Sequence, residues 1–412
     1  MSTDDRPLDL VVFGATSFVG EILCRHLTER HGSDGPLRWA IAGRSAERLD
    51  AVAASTGADV ERIVADALDP SAMAALAARA RLVVSTVGPY ATYGSELVAA
   101  VAEAGTDYCD LTGEPQWMQR MIDAHGARAA ASGARVVHAC GFDSIPSDLG
   151  VWFTQQRANE RFGAPCVRIG MRVKAARGGF SGGTIASGLA VIEELRSDPR
   201  LRRVLGNPYA LAPDGQRSGI DQPNVRLPAR DGLSGQWVGP FVMAPVNTKV
   251  VHRSHALLGR PWGETFRYDE AVMTGDGPRG LAKASALAGA LGGFVGAASI
   301  GPLRSLLRRF VLPAPGEGPS RESREAGFYD IRFFGETSDG RRIATRVSGD
   351  RDPGYGSTAK MLGEAAVCLL ERSRDDLPGG FWTPATAMGD ALIERLVGHA
   401  GLEFAVTDSR RV

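Results

Sequence analysis

Three stretches of this chain have the residue types and spacing of a dinucleotide site. The first is Gly14-Ala15-Thr16-Ser17-Phe18-Val19-Gly20, directly after the apolar run Leu8 to Phe13. A glycine turn between a buried strand and a helix lets backbone N–H groups and the helix N-terminus face a pyrophosphate, and the second glycine lets helix and strand pack closely. The second is Arg44, which follows the apolar stretch 37–43. An acidic residue there would hold a ribose 2′-hydroxyl. A guanidinium instead matches a 2′-phosphate in a bidentate way, so Arg44 points to NADP(H), the alternative being an ordinary arginine at a helix start. The third is Ser85-Thr86-Val87-Gly88-Pro89-Tyr90, at the end of the run Arg81 to Val87. Open α/β sheets bind ligands at the carboxyl ends of their strands, so these six residues are expected near the nicotinamide ribose, with a plain Gly-Pro turn as the alternative. Asp66, at the end of the third strand, completes the expected cofactor set.

Positioning these residues takes a regular alternation of elements. Apolar runs at 8–13, 37–43, 61–65, 81–87, 107–111 and 135–140 read as strands. Near-continuous apolar character is expected of a parallel sheet covered on both faces. Between them, apolar residues recur at helical spacing, as in Val19, Ile22, Leu23 and Leu27. Six β-α repeats make a doubly wound parallel sheet of the Rossmann type, an α/β domain over residues 1–147. Its last strand enters Gly141-Phe142-Asp143-Ser144-Ile145-Pro146-Ser147-Asp148, where Ser147 is expected to cap the next helix and Asp143 and Ser144 to reach the cofactor edge of the sheet.

After residue 147 the periodicity changes, and residues 148–350 read as a second, α+β domain with a mixed sheet. Val167–Val173, Met243–Leu258 and Phe266–Met273 read as strands, and 328–336 with 341–349 as a hairpin. His252 and His255, three apart in an extended stretch, would face opposite ways, and no metal site is expected. The loop 178–184 lacks the Gly-Lys-Ser/Thr ending of a P-loop and reads as a lid or crossover into a helix. Residues 284–303 carry no charge, and Arg304, Arg308 and Arg309 follow, interleaved with Leu303, Leu306, Leu307 and Phe310. This 284–310 segment admits three readings: a buried helix lining an apolar cavity, a membrane-surface element, or a span. Residues 351–412 are expected as terminal helices packing back on the nucleotide domain.

Composition narrows the function class. Lys plus Arg equals Asp plus Glu at 47 each over 412 residues, which gives no sign of a nucleic-acid partner. Cys24, Cys109, Cys140, Cys166 and Cys368 are odd in number and widely spaced, as in a reduced, cytoplasmic protein, and the N-terminus does not read as a signal peptide.

Together these pieces resemble the saccharopine dehydrogenase-like oxidoreductases, and within them the trans-acting enoyl reductases that partner polyketide synthases. The resemblance rests on the 14–20 turn, Ala42-Gly43-Arg44, 85–90 and Asp107 to Glu114. Gly141 to Asp148, Gly182-Gly183-Thr184 and Thr383-Pro384-Ala385 continue it over nearly the whole chain. It departs at Ser17, where the family turn has glycine; serine is tolerated if its backbone angles are ordinary. The resemblance implies NADP binding and reduction of an unsaturated acyl chain; a carrier protein of a polyketide synthase is the expected bearer of that chain, and a homo-oligomer is the assembly considered. Tyr90, Tyr93 and Ser144 are then the candidate donors that would polarise the thioester carbonyl. Two alternatives remain: an imine or amino-acid dehydrogenase using Arg172, Lys174 and Arg177, and a lipid-surface protein whose nucleotide domain is not catalytic.

Overall fold

A computed structural model of the protein describes residues 6–178, 182–304 and 318–407, the side chains of 182–185 excepted. Gly179 to Ser181 of the glycine loop, and residues 305–317, which include the Leu306–Phe310 part of the basic segment, lie outside the described residues.

The first sheet is wholly parallel and contains β1 (Leu8–Phe13), β2 (Trp39–Gly43), β3 (Glu61–Val64), β4 (Ala80–Ser85), β5 (Asp107–Asp110) and β6 (Arg135–Val137). A seventh strand, β13 (Gly380–Trp382), pairs with β6, giving the order β13-β6-β5-β4-β1-β2-β3. The order reverses at β1, flanked by β2 and β4, which puts the glycine turn at the switch point of a doubly wound sheet. Helices α1 (Phe18–His31), α2 (Ala46–Thr56), α3 (Pro70–Arg79), α4 (Tyr90–Tyr93), α5 (Ser95–Ala104) and α6 (Pro115–Ser132) connect the strands.

From β6 the chain enters α7 (Ile145–Phe162), which begins earlier than the sequence suggests. Ser144, not Ser147, is the residue before its first turn, and Pro146 occupies a first-turn position where a missing N–H costs nothing. The second sheet is mixed, in the order β14-β12-β11-β7-β10-β9-β8, with β7 (Cys166–Arg177) and β10 (Arg267–Gly275) its one parallel pair. β8 (Ala229–Arg230), β9 (Trp237–Pro240), the hairpin β11 (Phe328–Thr337) and β12 (Arg342–Gly349), and β14 (Leu402–Thr407) complete it. Helices α10 (Ala244–Leu257) and α11 (Gly277–Ser299) pack on this sheet, α8 (Gly182–Ser197) packs on α11, α9 (Leu201–Gly206) packs on α6 and α8, and a short α12 (Arg321–Glu325) precedes the hairpin.

Three expectations are corrected. Residues 243–258 form α10, not a strand. Its β-branched residues (Val246, Thr248, Val250, Val251) mimic strand composition, but its buried positions cover most of a helix held between elements. His252 and His255 are therefore neighbours on a helix, both in an aromatic cluster with Trp262 and Phe266. The uncharged segment is α11, and it is not a buried core helix. It is long and apolar enough to cross a membrane by length and composition, yet only 11% of its most apolar window is buried. Residues 351–412 are not only helices. α13 (Thr358–Glu371) packs on α1 and β5, while α14 (Pro384–Arg395) packs on α7, and β13 and β14 enter opposite sheets.

One hydrophobic core runs from the first sheet through α7, α13 and α14 to β11 and β12. Asp148 pins three helices where they meet. Its carboxylate accepts from Ser254 Oγ of α10 at 2.5 Å and from Ala385 N of α14 at 2.8 Å, and burial pushes it up to about 6.

Candidate cofactor and substrate site

Residues at the carboxyl ends of β1, β2 and β4 line one cavity of about 1360 Å³. The turn above β1 fits a pyrophosphate cradle. Gly14 has φ of 90°, and a Cβ there would lie 2.7 Å from both Thr86 Oγ1 and Val87 Cγ2. At Gly20 a Cβ would stand 2.2 Å from the Gly14 carbonyl oxygen, so only glycine lets α1 approach the turn. Ser17 caps α1 with ordinary extended angles, φ −77° and ψ 159°. Its Oγ accepts from Gly20 N at 2.9 Å. Thr86 donates to Gly14 O at 2.9 Å, so the 2.9 Å contact between Ser17 and Thr86 has Ser17 as donor. The serine that departs from the family pattern thus wires the turn to the loop after β4. The first N–H groups of α1, at Phe18 and Val19, have no acceptor among the described residues and remain for an anion.

Of the expected cofactor contacts, Gly14, Thr16, Ser17, Phe18, Val19, Arg44, Asp66, Thr86, Val87, Gly88, Pro89 and Tyr90 line the cavity. Ala15, Gly20 and Ser85 do not; they are buried beneath it and shape the walls. Arg44 is exposed and makes no hydrogen bond or ion pair with a described residue. Arg48, one turn into α2 and not foreseen, lines the same wall, with Nη2 donating to Thr16 O at 3.0 Å.

The three expected proton or hydrogen-bond donors separate. The Ser144 hydroxyl is buried and donates to Asn247 Oδ1 at 3.0 Å, within a network in which Asn247 donates to Ser147 Oγ and Glu270. It faces this network and does not line the cavity. Tyr90 touches the cavity, but its phenol donates to Ser85 O at 3.0 Å and accepts from Leu111 N at 3.1 Å. Burial raises it well above a normal phenol, and its hydroxyl is committed to the scaffold. Tyr93 lines the cavity half-buried and makes no hydrogen bond to a described residue. Asp143 joins it on the cavity wall, and burial, reinforced by the nearby Asp110 carboxylate, pushes its carboxyl up to about 7. A group of that kind holds or releases a proton near neutrality.

Two further features escaped the sequence. Glu114 is buried behind the loop after β4, where it accepts from Tyr90 N, Ala91 N and Ser187 Oγ at 2.8 to 2.9 Å. Burial pushes its carboxyl above the ordinary range despite these donors. It fixes the N-terminus of α4 and ties α8 to the first domain. Residues 353–358 form the wall beside α1, where Tyr355 meets the Phe18 ring edge-on at a centroid distance of 4.8 Å. The Pro-Gly-Tyr-Gly composition of that turn was the available signal.

The far end of the cavity is apolar. Val191 and Ile192 of α8, Phe241 and Met243 before α10, and Leu291 and Phe294 of α11 line it. α11 therefore contributes one face to the cavity through Leu291, Phe294 and Val295, while Leu281, and Ile300 just after the helix, are exposed. Arg172, an expected substrate cation, is fully buried and paired with Asp231 and Asp269 at 2.9 Å each, and neither Lys174 nor Arg177 lines the cavity. Among the described residues no cluster of His, Cys, Asp and Glu could hold a metal ion.

Residues 10–137 match the family described as the saccharopine dehydrogenase NADP binding domain. The chain is 40% identical over 420 residues to a trans-acting enoyl reductase of Mycobacterium bovis, covering 99% of both. A Mycobacterium tuberculosis relative, provisionally named for the same activity, is 43% identical over 425 residues, again 99% of both chains. Among solved structures, saccharopine dehydrogenase (L-Glu forming) of Saccharomyces cerevisiae superimposes with a TM-score of 0.51 over 97% of this chain and 100% of that one, at 12% identity, a likeness of fold. With an NADP-binding domain and whole-length relatives of this kind, the chain belongs to the saccharopine dehydrogenase-like, NADP-dependent oxidoreductases, in the branch formed by the trans-acting enoyl reductases.

Proposed function

We infer that the protein reduces the double bond of an α,β-unsaturated acyl thioester borne on a carrier protein of a polyketide synthase. The observation that carries this reading is the composition of one cavity: a glycine cradle and two arginines line one part of it, and an uncharged wall from α8, α10 and α11 lines the rest. Such a wall suits an acyl chain and offers nothing to a multiply charged amino acid, since Arg172 is tied to two aspartates. The activity carried in the names of relatives 40% identical over the full length supports the same reading.

Gly14, Ser17, Gly20 and the first N–H groups of α1 would hold the pyrophosphate, and Arg44 with Arg48 the 2′-phosphate. When bound, NADPH supplies a hydride, which the reaction requires at the β-carbon. The protein must then stabilise charge on the thioester oxygen and deliver a proton to the α-carbon. Tyr93 is the phenol positioned to donate a hydrogen bond to that oxygen. Asp143, protonated near neutrality, is the group that gives up the proton and recovers it from solvent. The apolar wall excludes water from the enolate. Purified protein mixed with NADPH and a series of trans-2-enoyl N-acetylcysteamine thioesters should lose absorbance at the nicotinamide band and yield the saturated thioester. No turnover at any chain length sinks the reading.

The exposure of α11 supports a compatible second reading, in which this helix rests on a lipid surface beside the cavity it lines. Co-sedimentation with anionic liposomes that is lost on Leu281→Asp would bear it out; protein that stays in the supernatant would remove it.

A further inference from the structure

The chain as a whole is neutral, yet the stretch Asp198 to Arg203 carries three guanidinium groups against one carboxylate. α9 bears Arg200 at its start and Arg202 and Arg203 within it, all exposed and none ion-paired with a described residue. The nearest acidic side chains along the chain are already engaged. Glu193 pairs with Arg304 at 3.8 Å, Glu194 pairs with Arg120 and accepts from Gln116, and the Asp198 carboxylate accepts from Arg200 N. Three guanidinium groups within four residues thus leave a local excess of positive charge, which attracts an anionic partner.

Their place in the fold says what that partner does. Leu205, in the same helix, lines the apolar part of the cavity. α9 is fastened there from below, because the buried Lys249 ammonium donates to Leu205 O at 2.9 Å and to Pro245 O at 2.7 Å. With Leu205 on the cavity wall and Arg200, Arg202 and Arg203 exposed on the same short helix, the patch lies beside the apolar part of the cavity. A small anionic substrate would need its cations inside the cavity. Cations beside it suit a macromolecule that stays outside while a flexible arm reaches in.

We propose that Arg200, Arg202 and Arg203 are the landing surface for an acidic acyl carrier domain that delivers its thioester into the cavity past Leu205. The proposal rests on the enoyl-reductase reading for the nature of the cargo, but not for the contact itself. Exposed charge beside a site acts on encounter rate and partner choice more than on the chemical step.

The test uses the whole protein and its triple variant Arg200→Glu, Arg202→Glu, Arg203→Glu, with Arg→Lys at the same three positions as a charge-preserving control. The probes are one enoyl group presented three ways: on an acidic recombinant acyl carrier domain, on coenzyme A, and on N-acetylcysteamine. The expected result is a rise of about tenfold or more in KM for the carrier-borne substrate alone. kcat, KM for the N-acetylcysteamine thioester and NADPH affinity stay at wild-type values, and the lysine variant stays near wild type. Added salt should raise the wild-type carrier KM and leave that of the glutamate variant flat, since screening acts over about 10 Å at 0.1 M. An unchanged carrier KM overturns the proposal. So does an equal rise with the N-acetylcysteamine thioester, which would place the arginines in the pocket, or an equal rise with the coenzyme A thioester, which would make them phosphate readers. If no thioester is reduced, the catalytic reading has failed, and a fluorescence titration of unloaded carrier domain against wild type and glutamate variant decides the contact separately: tighter binding to wild type upholds it, equal binding refutes it.

Discussion

Replacing Arg44 by alanine should convert an NADPH-selective protein into one that binds NADPH and NADH nearly alike, and replacing Arg48 should do less. Both guanidinium groups line the cavity wall beyond β2. Arg44 makes no hydrogen bond or ion pair with a described residue, so its donors are free for a 2′-phosphate. Arg48 already gives Nη2 to Thr16 O, leaving part of its fork. A hydrogen bond to a charged partner contributes roughly 1.5–3 kcal/mol, and Arg44 is exposed, so the lower half of that range applies to a single group. About 1.5–2 kcal/mol corresponds to a 10- to 30-fold loss of NADPH affinity for Arg44→Ala. Arg48→Ala should lose only about half that free energy, roughly 3- to 5-fold. NADH, lacking the phosphate, should bind both variants as it binds the wild type. The assay is a titration of nicotinamide fluorescence with each cofactor against the three proteins. Equal wild-type affinities for NADPH and NADH, or an Arg44→Ala variant whose selectivity is intact, would refute the assignment. A larger loss at Arg48 than at Arg44 would show that the Thr16 bond opens when cofactor binds.

Two further outcomes follow from the site. Gly20→Ala drives a Cβ to 2.2 Å from the Gly14 carbonyl, backbone that cannot swing away, so it should lower stability by about 1–3 kcal/mol and abolish NADPH binding; a variant with normal Tm and affinity would contradict the close-approach account. Turnover that needs protonated Asp143 should fall as pH rises through about 7, and Asp143→Asn should be slower with that descending limb gone; an unchanged pH profile would exclude the carboxyl as the acid.

The β-α alternation and the cofactor turn were readable because their causes are local. Buried parallel strands must be apolar along their length, and a turn that meets a pyrophosphate needs glycine at fixed offsets. What escaped reading depends on partners far along the chain. Ser144 and Tyr90 look like site hydroxyls until Asn247 and Ser85 are seen to take their protons. α10 carries a strand-like run of β-branched residues, and only its enclosure by α7 and β10 makes it a helix. Three residues suffice for β13, too few for any periodicity to show. Arg48, like the 353–358 turn, was missed despite an available signal, lying four positions beyond Arg44 at the start of a capped helix.

Two edge strands come from segments remote from their partners. β13 completes the edge of the cofactor sheet beside β6, and β14 completes the other sheet beside β12. Neither sheet has its full set of strands until residues beyond 380 have left the ribosome. Both pairings join segments far apart in sequence, β13 with β6 above all, so the chain must close long loops before either edge forms, which makes these edges slow steps of folding.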